Sequence, residues 1–154
     1  GKWVVGGYQA DFEAGDRYSG ILYGERFRGI LADRGLKTVV GADHKPTTVD
    51  KFGDSQGLQK YVKKGDWNTY EVTAQGYHFV HKINGQMMSE MTDEDTEMRR
   101  ADGILALQVH RGPPRKVQVR NIRLKELNQD AGKKKAEKQG TKKIVLVAGP
   151  PSHG

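Results

Sequence analysis

Residues 103–127 read Gly103-Ile-Leu-Ala-Leu-Gln-Val-His-Arg-Gly-Pro-Pro-Arg-Lys-Val-Gln-Val-Arg-Asn-Ile-Arg-Leu-Lys-Glu-Leu127, and their spacing sets the expected fold. Leu105, Leu107 and Val109 alternate with Ala106, Gln108 and His110, the period-two pattern of a strand with one buried and one solvated face. Val117 and Val119 alternate with Gln118 and Arg120 in the same way. Between them, Arg111-Gly-Pro-Pro-Arg115 cannot continue a ladder, because proline has no N–H to donate and Gly112 allows a turn. The stretch predicts two strands joined by a stiff turn, with Gln108 and His110 on a shared polar face.

The same period recurs upstream. Tyr8, Ala10 and Phe12 oppose Gln9, Asp11 and Glu13; Ile21–Glu25 and Arg28–Ala32 read as short strands around a charged corner; Lys37–Val40 adds another. Tyr70, Val72 and Ala74 alternate with Glu71, Thr73 and Gln75, and after Gly76 the run Tyr77–Ile83 leads into Asn84-Gly85, a strong signal for a type I′ hairpin. Only Asp54–Lys64 has helical character, with Asp54 or Ser55 as cap and Leu58, Tyr61 and Val62 facing inward. The expected fold is all-β, an antiparallel sandwich with at most one short helix.

A chain of 154 residues is one domain's worth, and 35% hydrophobic content with a mean hydropathy of −0.76 and 20 glycines predicts a thin core with many turns. No apolar run approaches the roughly 18 residues of a bilayer span, so no membrane insertion is expected. The absence of cysteine removes disulfide and thiolate chemistry. The net charge of +7 invites a nucleic-acid partner, yet more than half of it comes from the lysines of residues 128–143. That segment has no interleaved aromatics, so it reads as a solvated linker and no nucleic-acid binding is expected. The expected division is a sandwich over 1–127, a lysine-rich linker over 128–142, and over 143–154 an apolar strand ending in a glycine turn, with no sheet of its own to join.

Several residues carry candidate chemistry. Gln9, Asp11 and Glu13 sit at every second position, about 6.5–7 Å apart along a strand, and line either a sugar or cation site or ordinary solvent-facing surface. Arg28, with Glu25 and Arg26, forms either a surface ion-pair cluster or a clamp for hydroxyls or a carboxylate. His78 and His81 are three apart, so a strand points them to opposite faces and one is structural. Asp43-His44 is a loop pair with little ligand character. Thr92–Arg100 lacks the ordered spacing and central glycine of a calcium loop and fits a short helical turn.

The string LQVHRGPPRKVQVRNIRLKEL resembles the closing strands of the 3-keto-disaccharide hydrolase domain, a concanavalin-like (jelly-roll) β-sandwich. Gly7-Tyr-Gln-Ala-Asp11, Leu22-Tyr-Gly-Glu25, Arg28-Gly-Ile-Leu31, Trp67-Asn-Thr-Tyr-Glu-Val72 and Ile83-Asn-Gly85 follow that family's order over residues 1–127. In the family, further opening strands precede the position of Gly1. Residues 143–154 resemble the first strand of a trehalose-utilisation, glutamine-amidotransferase-like domain, which implies a covalently linked neighbouring domain.

The resemblance implies a carbohydrate partner, a periplasmic or secreted location, and cleavage of 3-keto-glycosides by elimination and hydration. In such chemistry the 3-keto group acidifies the C2 proton, so a base, an enolate stabiliser and an acid for the leaving group are needed. The expected catalytic residues are His110, Asp11 and Glu13, with Gln9, Gln108, Arg28, Arg120 and Tyr23 binding substrate. The cofactor stays open, a divalent metal being one option. The alternatives are a non-catalytic carbohydrate-binding module and a scaffold domain within a larger sugar-degrading protein.

Overall fold

The computed structural model describes residues 4–110, 114, 116–127 and 141–148, the last of these by its strand pairing alone. Strands β1 (Gly7–Ala10), β2 (Leu22–Glu25) and β3 (Gly29–Ala32) form a three-stranded antiparallel sheet in that order. The second sheet has seven strands: β4 (Leu36–Val40), β5 (Pro46–Lys51), β6 (Asn68–Gln75), β7 (His78–Ile83), β8 (Gln86–Asp93), β9 (Val119–Leu127) and β10 (Thr141–Ala148). Their order is β5-β4-β8-β7-β6-β10-β9. Its pairings are antiparallel except for β4 with β8, which run parallel. The one described helix is α1 (Ser55–Gln59), and Asp54 caps it by accepting the Gly57 N–H at 2.7 Å.

The core lies between the two sheets. Tyr8, Leu22, Leu31 and Ala32 of the small sheet meet Val40, Ala74, Phe79 and Met91 of the large one. A second cluster joins Ala10 and Phe12 to Leu58, Tyr70, Val72, Ile83 and Met88. The period-two reading of 8–12 and 70–74 therefore identifies the inward sides correctly. Asn84 and Gly85 turn the β7–β8 hairpin with φ of 52° and 82°, the positive values a type I′ turn needs.

The stretch that opens the sequence reading behaves differently from expectation. Leu105, Leu107 and Val109 are 55%, 47% and 69% exposed, and residues 102–110 have no ladder partner. Period two marks an extended amphipathic segment but says nothing of which strand will pair with it. The expected turn falls almost entirely outside the described residues, and the second strand starts at Val119. Within β9, Asn121 adopts φ 54° and the register slips opposite Val145 and Val147. This bulge places Arg120, Arg123 and Lys125 on one face and Val119 and Leu124 on the other.

Residues 141–148, read from sequence as lacking a sheet, pair on both edges, with β6 and with β9. The expected linker lies outside the described residues apart from Thr141 and Lys142, which open β10.

Two buried arginines hold the small sheet in place. Arg28, in the β2–β3 turn, has a side chain 3% exposed; it ion-pairs with Asp93, and its Nη1 lies 2.9 Å from Asp95. Tyr8 donates its hydroxyl to the same Asp93. Arg34 donates to the backbone carbonyls of Ser55 (2.8 Å), Ser19 (2.9 Å) and Asp16 (2.8 Å), fixing the 11–21 loop against α1.

Candidate functional site

The register of β1 on β2 sets Gln9 opposite Tyr23 and Gly7 opposite Glu25. Cross-strand partners share a face, so Gln9, Tyr23 and Glu25 lie together on the side of the small sheet that faces away from the core. Asp11 continues that row: its N–H reaches the Ile21 carbonyl at 3.4 Å, and its own carbonyl accepts the Gly20 N–H at 2.9 Å. The Gln9 amide donates to Asp11 Oδ1 at 2.5 Å and to Gln108 Oε1 at 2.9 Å. Two polar residues from the opening of the chain thus meet one from the extended segment that ends in His110.

Asp11 is the electrostatic centre of this group. Burial pushes its carboxyl up to about 6, and the neighbouring Glu13 and Glu25 charges push the same way; the Gln9 N–H and the charge of His110 oppose them. Asp11, Glu13, Glu25 and His110 are therefore close enough to feel one another. A carboxylate half ionised near 6 is still mostly charged at neutral pH and is a stronger base than an exposed aspartate, which suits proton abstraction.

The other expected site residues are placed differently. Glu13 Oε1 accepts the N–H groups of Arg17 (2.8 Å) and Tyr18 (2.6 Å), so this carboxylate shapes the loop after β1 as well as adding charge beside Asp11. Arg28, expected as a clamp, instead turns both of its Nη groups to the buried carboxylates of Asp93 and Asp95. Arg120 stacks over the Trp67 ring at 3.9 Å and belongs to the seven-stranded sheet, whereas Gln9 belongs to the three-stranded one.

The remaining histidines among the described residues have structural partners. His81 is buried, and desolvation pulls it down to about 4; the neutral ring's Nδ1–H donates to the Ile21 carbonyl at 3.2 Å. His78 lies on the opposite face, 2.9 Å from Glu90. His44 Nδ1 contacts Asp95 at 2.7 Å, which raises the histidine and helps hold Asp95 down to about 2.

Sequence reasoning missed Glu25, which it assigned to an ion-pair cluster. The signal was present: Tyr23 and Glu25 alternate in phase with each other, and only the pairing of β1 with β2 reveals that they share a face with Gln9.

The chain's first 125 residues match the family of the 3-keto-alpha-glucoside-1,2-lyase-like domain. The protein belongs to this family. No curated protein and no solved structure matches the chain. In this 3-keto-alpha-glucoside-1,2-lyase-like domain, Gln9 joins Asp11 and Gln108 on one polar face, with Glu25 and His110 near enough for their charges to act on Asp11. Among the described residues, no three of His, Asp and Glu are grouped to hold a metal ion, and the chemistry below assigns no step to one.

Proposed function

We propose that this lyase-like domain cleaves the glycosidic bond of 3-keto-glucosides by elimination, on the face centred on Asp11. The observation that carries this reading is the Gln9 amide, which holds Asp11 beside Gln108 on that face, with burial raising the carboxyl it binds. Asp11 removes the proton at C2, which the adjacent ketone acidifies. The electron pair passes through the enolate to form the C1–C2 double bond as the C1–O bond breaks, and His110 gives a proton to the departing oxygen. Addition of water to the unsaturated keto-sugar then completes a net hydrolysis. Gln108 accepts from Gln9 through its oxygen, which leaves its amide N–H groups to donate to the developing enolate. Glu25 and Tyr23, which share the face of Gln9, bind ring hydroxyls in this reading.

The family's carbohydrate chemistry supports a sugar partner, and the pairing of a basic carboxylate with a histidine favours catalysis over simple binding. The test is release of the aglycone from a 3-keto-α-glucoside beside its unoxidised parent, with and without chelator. Release from the keto-sugar alone, lost in Asp11→Asn, is expected. Saturable binding of the keto-sugar without release would replace the catalytic reading with that of a carbohydrate-binding module.

A further inference from the structure

A buried charge cluster joins Tyr8 of β1 to the end of β8 and the turn after it. The side chains of Asp93 and Asp95 have no exposed surface, and the cation that both meet, Arg28, is 3% exposed. Two negative charges against one positive leave the cluster one charge short of neutral, which is costly away from water. The missing charge stands at the rim. His44, 40% exposed, donates its Nδ1–H to Asp95 Oδ2 at 2.7 Å, the oxygen that Arg28 Nη1 also meets at 2.9 Å.

The charged groups facing this ring come from three elements. Asp95 and Glu97, the latter 3.7 Å from Nε2, belong to the turn after β8. Arg28 stands behind Asp95 in the β2–β3 turn, with Asp93 and Tyr8 one bond further in. Asp43 and Lys45 flank the ring in its own loop. The hydrogen bond to Asp95 raises the histidine above 6.5, and the charges of Asp95 and Glu97 add to this, against partial burial and the charge of Arg28. His44 also sits at φ 61°, a left-handed angle uncommon for a residue with a side chain.

What His44 holds is the approach to the segment that ends in His110. Asp95 Oδ1 accepts the N–H groups of Glu97 and Met98, both at 3.1 Å, and the Asp95 carbonyl accepts that of Arg99 at 3.0 Å. Arg100 then donates its N–H to the Tyr8 hydroxyl at 3.4 Å, while Tyr8 donates to Asp93. Residues 102–110 join neither sheet, so their place depends on such anchors: Tyr8 before the segment and Gln9, its neighbour in β1, at Gln108.

We propose that His44 is a positioning residue for the Asp11 face and a pH-sensitive latch: its charged ring neutralises the buried carboxylates and keeps Asp95 closed on the turn that leads to Gln108 and His110. The link to turnover rests on the catalytic reading above. When pH rises and the ring loses its proton, one negative charge is left buried without a partner. Asp95 then turns toward water and frees the Glu97 and Met98 N–H groups, and the segment loosens at its start.

The test is a pH titration of the full chain followed by amide NMR, with the His44 ring signal giving its own midpoint, beside the variant His44→Asn. Asparagine tolerates the left-handed angle and keeps an N–H near the Nδ1 position but cannot titrate. In the wild type, the amides of Met98, Arg100 and Gln108 should share a component with the His44 midpoint, above 6.5. In His44→Asn that component should vanish and leave these amides near their high-pH positions. The wild-type titration decides the latch even if the variant folds poorly. In keto-sugar release, kcat/KM should be about fivefold lower in His44→Asn below the midpoint, the margin of a charged over a neutral hydrogen bond, and equal to wild type above it. Amides that ignore the His44 midpoint, amides that titrate with the same midpoint in the variant, or a kcat/KM ratio constant with pH overturn the proposal. The shared midpoint with no release by either protein supports the latch and overturns the catalytic reading alone.

Discussion

Gln9 and Gln108 stand 99 positions apart in the chain, and the amide of the first donates to the oxygen of the second at 2.9 Å while also donating to Asp11 at 2.5 Å. One amide group thus ties Asp11, just after β1, to the segment carrying His110, and in the proposed mechanism this joins base to acid. The Gln9 N–H stabilises the charged form of Asp11 against burial. Gln9→Leu should therefore raise the apparent pKa of the acidic limb of kcat/KM above about 6. Gln108→Leu, which loosens Gln9 without removing it, should raise it less. Both should lower kcat/KM about tenfold and leave the unfolding midpoint nearly unchanged, as is usual for polar residues outside the core. A pH profile identical to wild type in Gln9→Leu would remove Asp11 from the role of base.

Asp11 also makes stability depend on pH. Its folded pKa is raised above the ordinary value of 3.8 to about 6, so the folded state holds this proton more tightly than the unfolded chain. The contribution is fully present below about pH 4 and is lost as pH rises through 6; because the carboxyl is partly exposed, solvent screening holds it to about 1 kcal/mol. Asp11→Asn keeps the shape and cannot ionise. Urea melts at pH 4 and pH 7 should show that variant gaining stability over wild type at the higher pH and little at the lower. Equal differences at both values would show that the carboxyl is not buried.

Arg28 tests the core. Its removal leaves Asp93 fully buried without its cation, and breaking such a pair costs about 3–5 kcal/mol. Arg28→Met should lower the denaturant midpoint by that amount, and adding Asp93→Asn should recover part of the loss. A loss below about 1 kcal/mol in Arg28→Met would mean that the ion pair is solvated.

The reach of the sequence divides along physical lines. Period two located the inward faces of β1 and β6 because burial on one side is a local property, written in Tyr8, Ala10, Tyr70 and Val72. Asn84-Gly85 specified its own turn. Pairing is not local: nothing in Leu105, Leu107 and Val109 says which edge they meet, and these residues are exposed where a core was expected. The pairing of 141–148 between β6 and β9 was equally out of reach, because an apolar run fits any sheet that offers a free edge. On the polar face, alternation and family pattern single out Gln9, Asp11, Gln108 and His110, but the hydrogen bonds by which Gln9 joins Asp11 to Gln108 are visible only in the fold. Arg28 was misplaced because a guanidinium suits a buried carboxylate pair as well as a sugar, and only tertiary structure sets Asp93 and Asp95 beside it.

Gly20 links stability to the site. It adopts φ 92°, and a Cβ there would stand 2.7 Å from the Met88 Cβ, inside any real contact between carbon atoms. Its carbonyl accepts the buried Ser89 hydroxyl at 2.8 Å, and its N–H donates to the Asp11 carbonyl at 2.9 Å. The residue is thus pressed between β8 and the carbonyl of Asp11. Gly20→Ala adds the left-handed penalty of about 1–2 kcal/mol to a clash with a fully buried methionine. The sum should reach about 3 kcal/mol by denaturant melting, and the shift of the loop should reduce keto-sugar release as well. Gly76→Ala is the matched control: its φ is 58°, with nothing within 4 Å of the added carbon. It should cost only the backbone penalty and leave release unchanged. Equal losses in the two variants would show that the contact with Met88 contributes nothing and that Gly20 matters for its backbone angle alone.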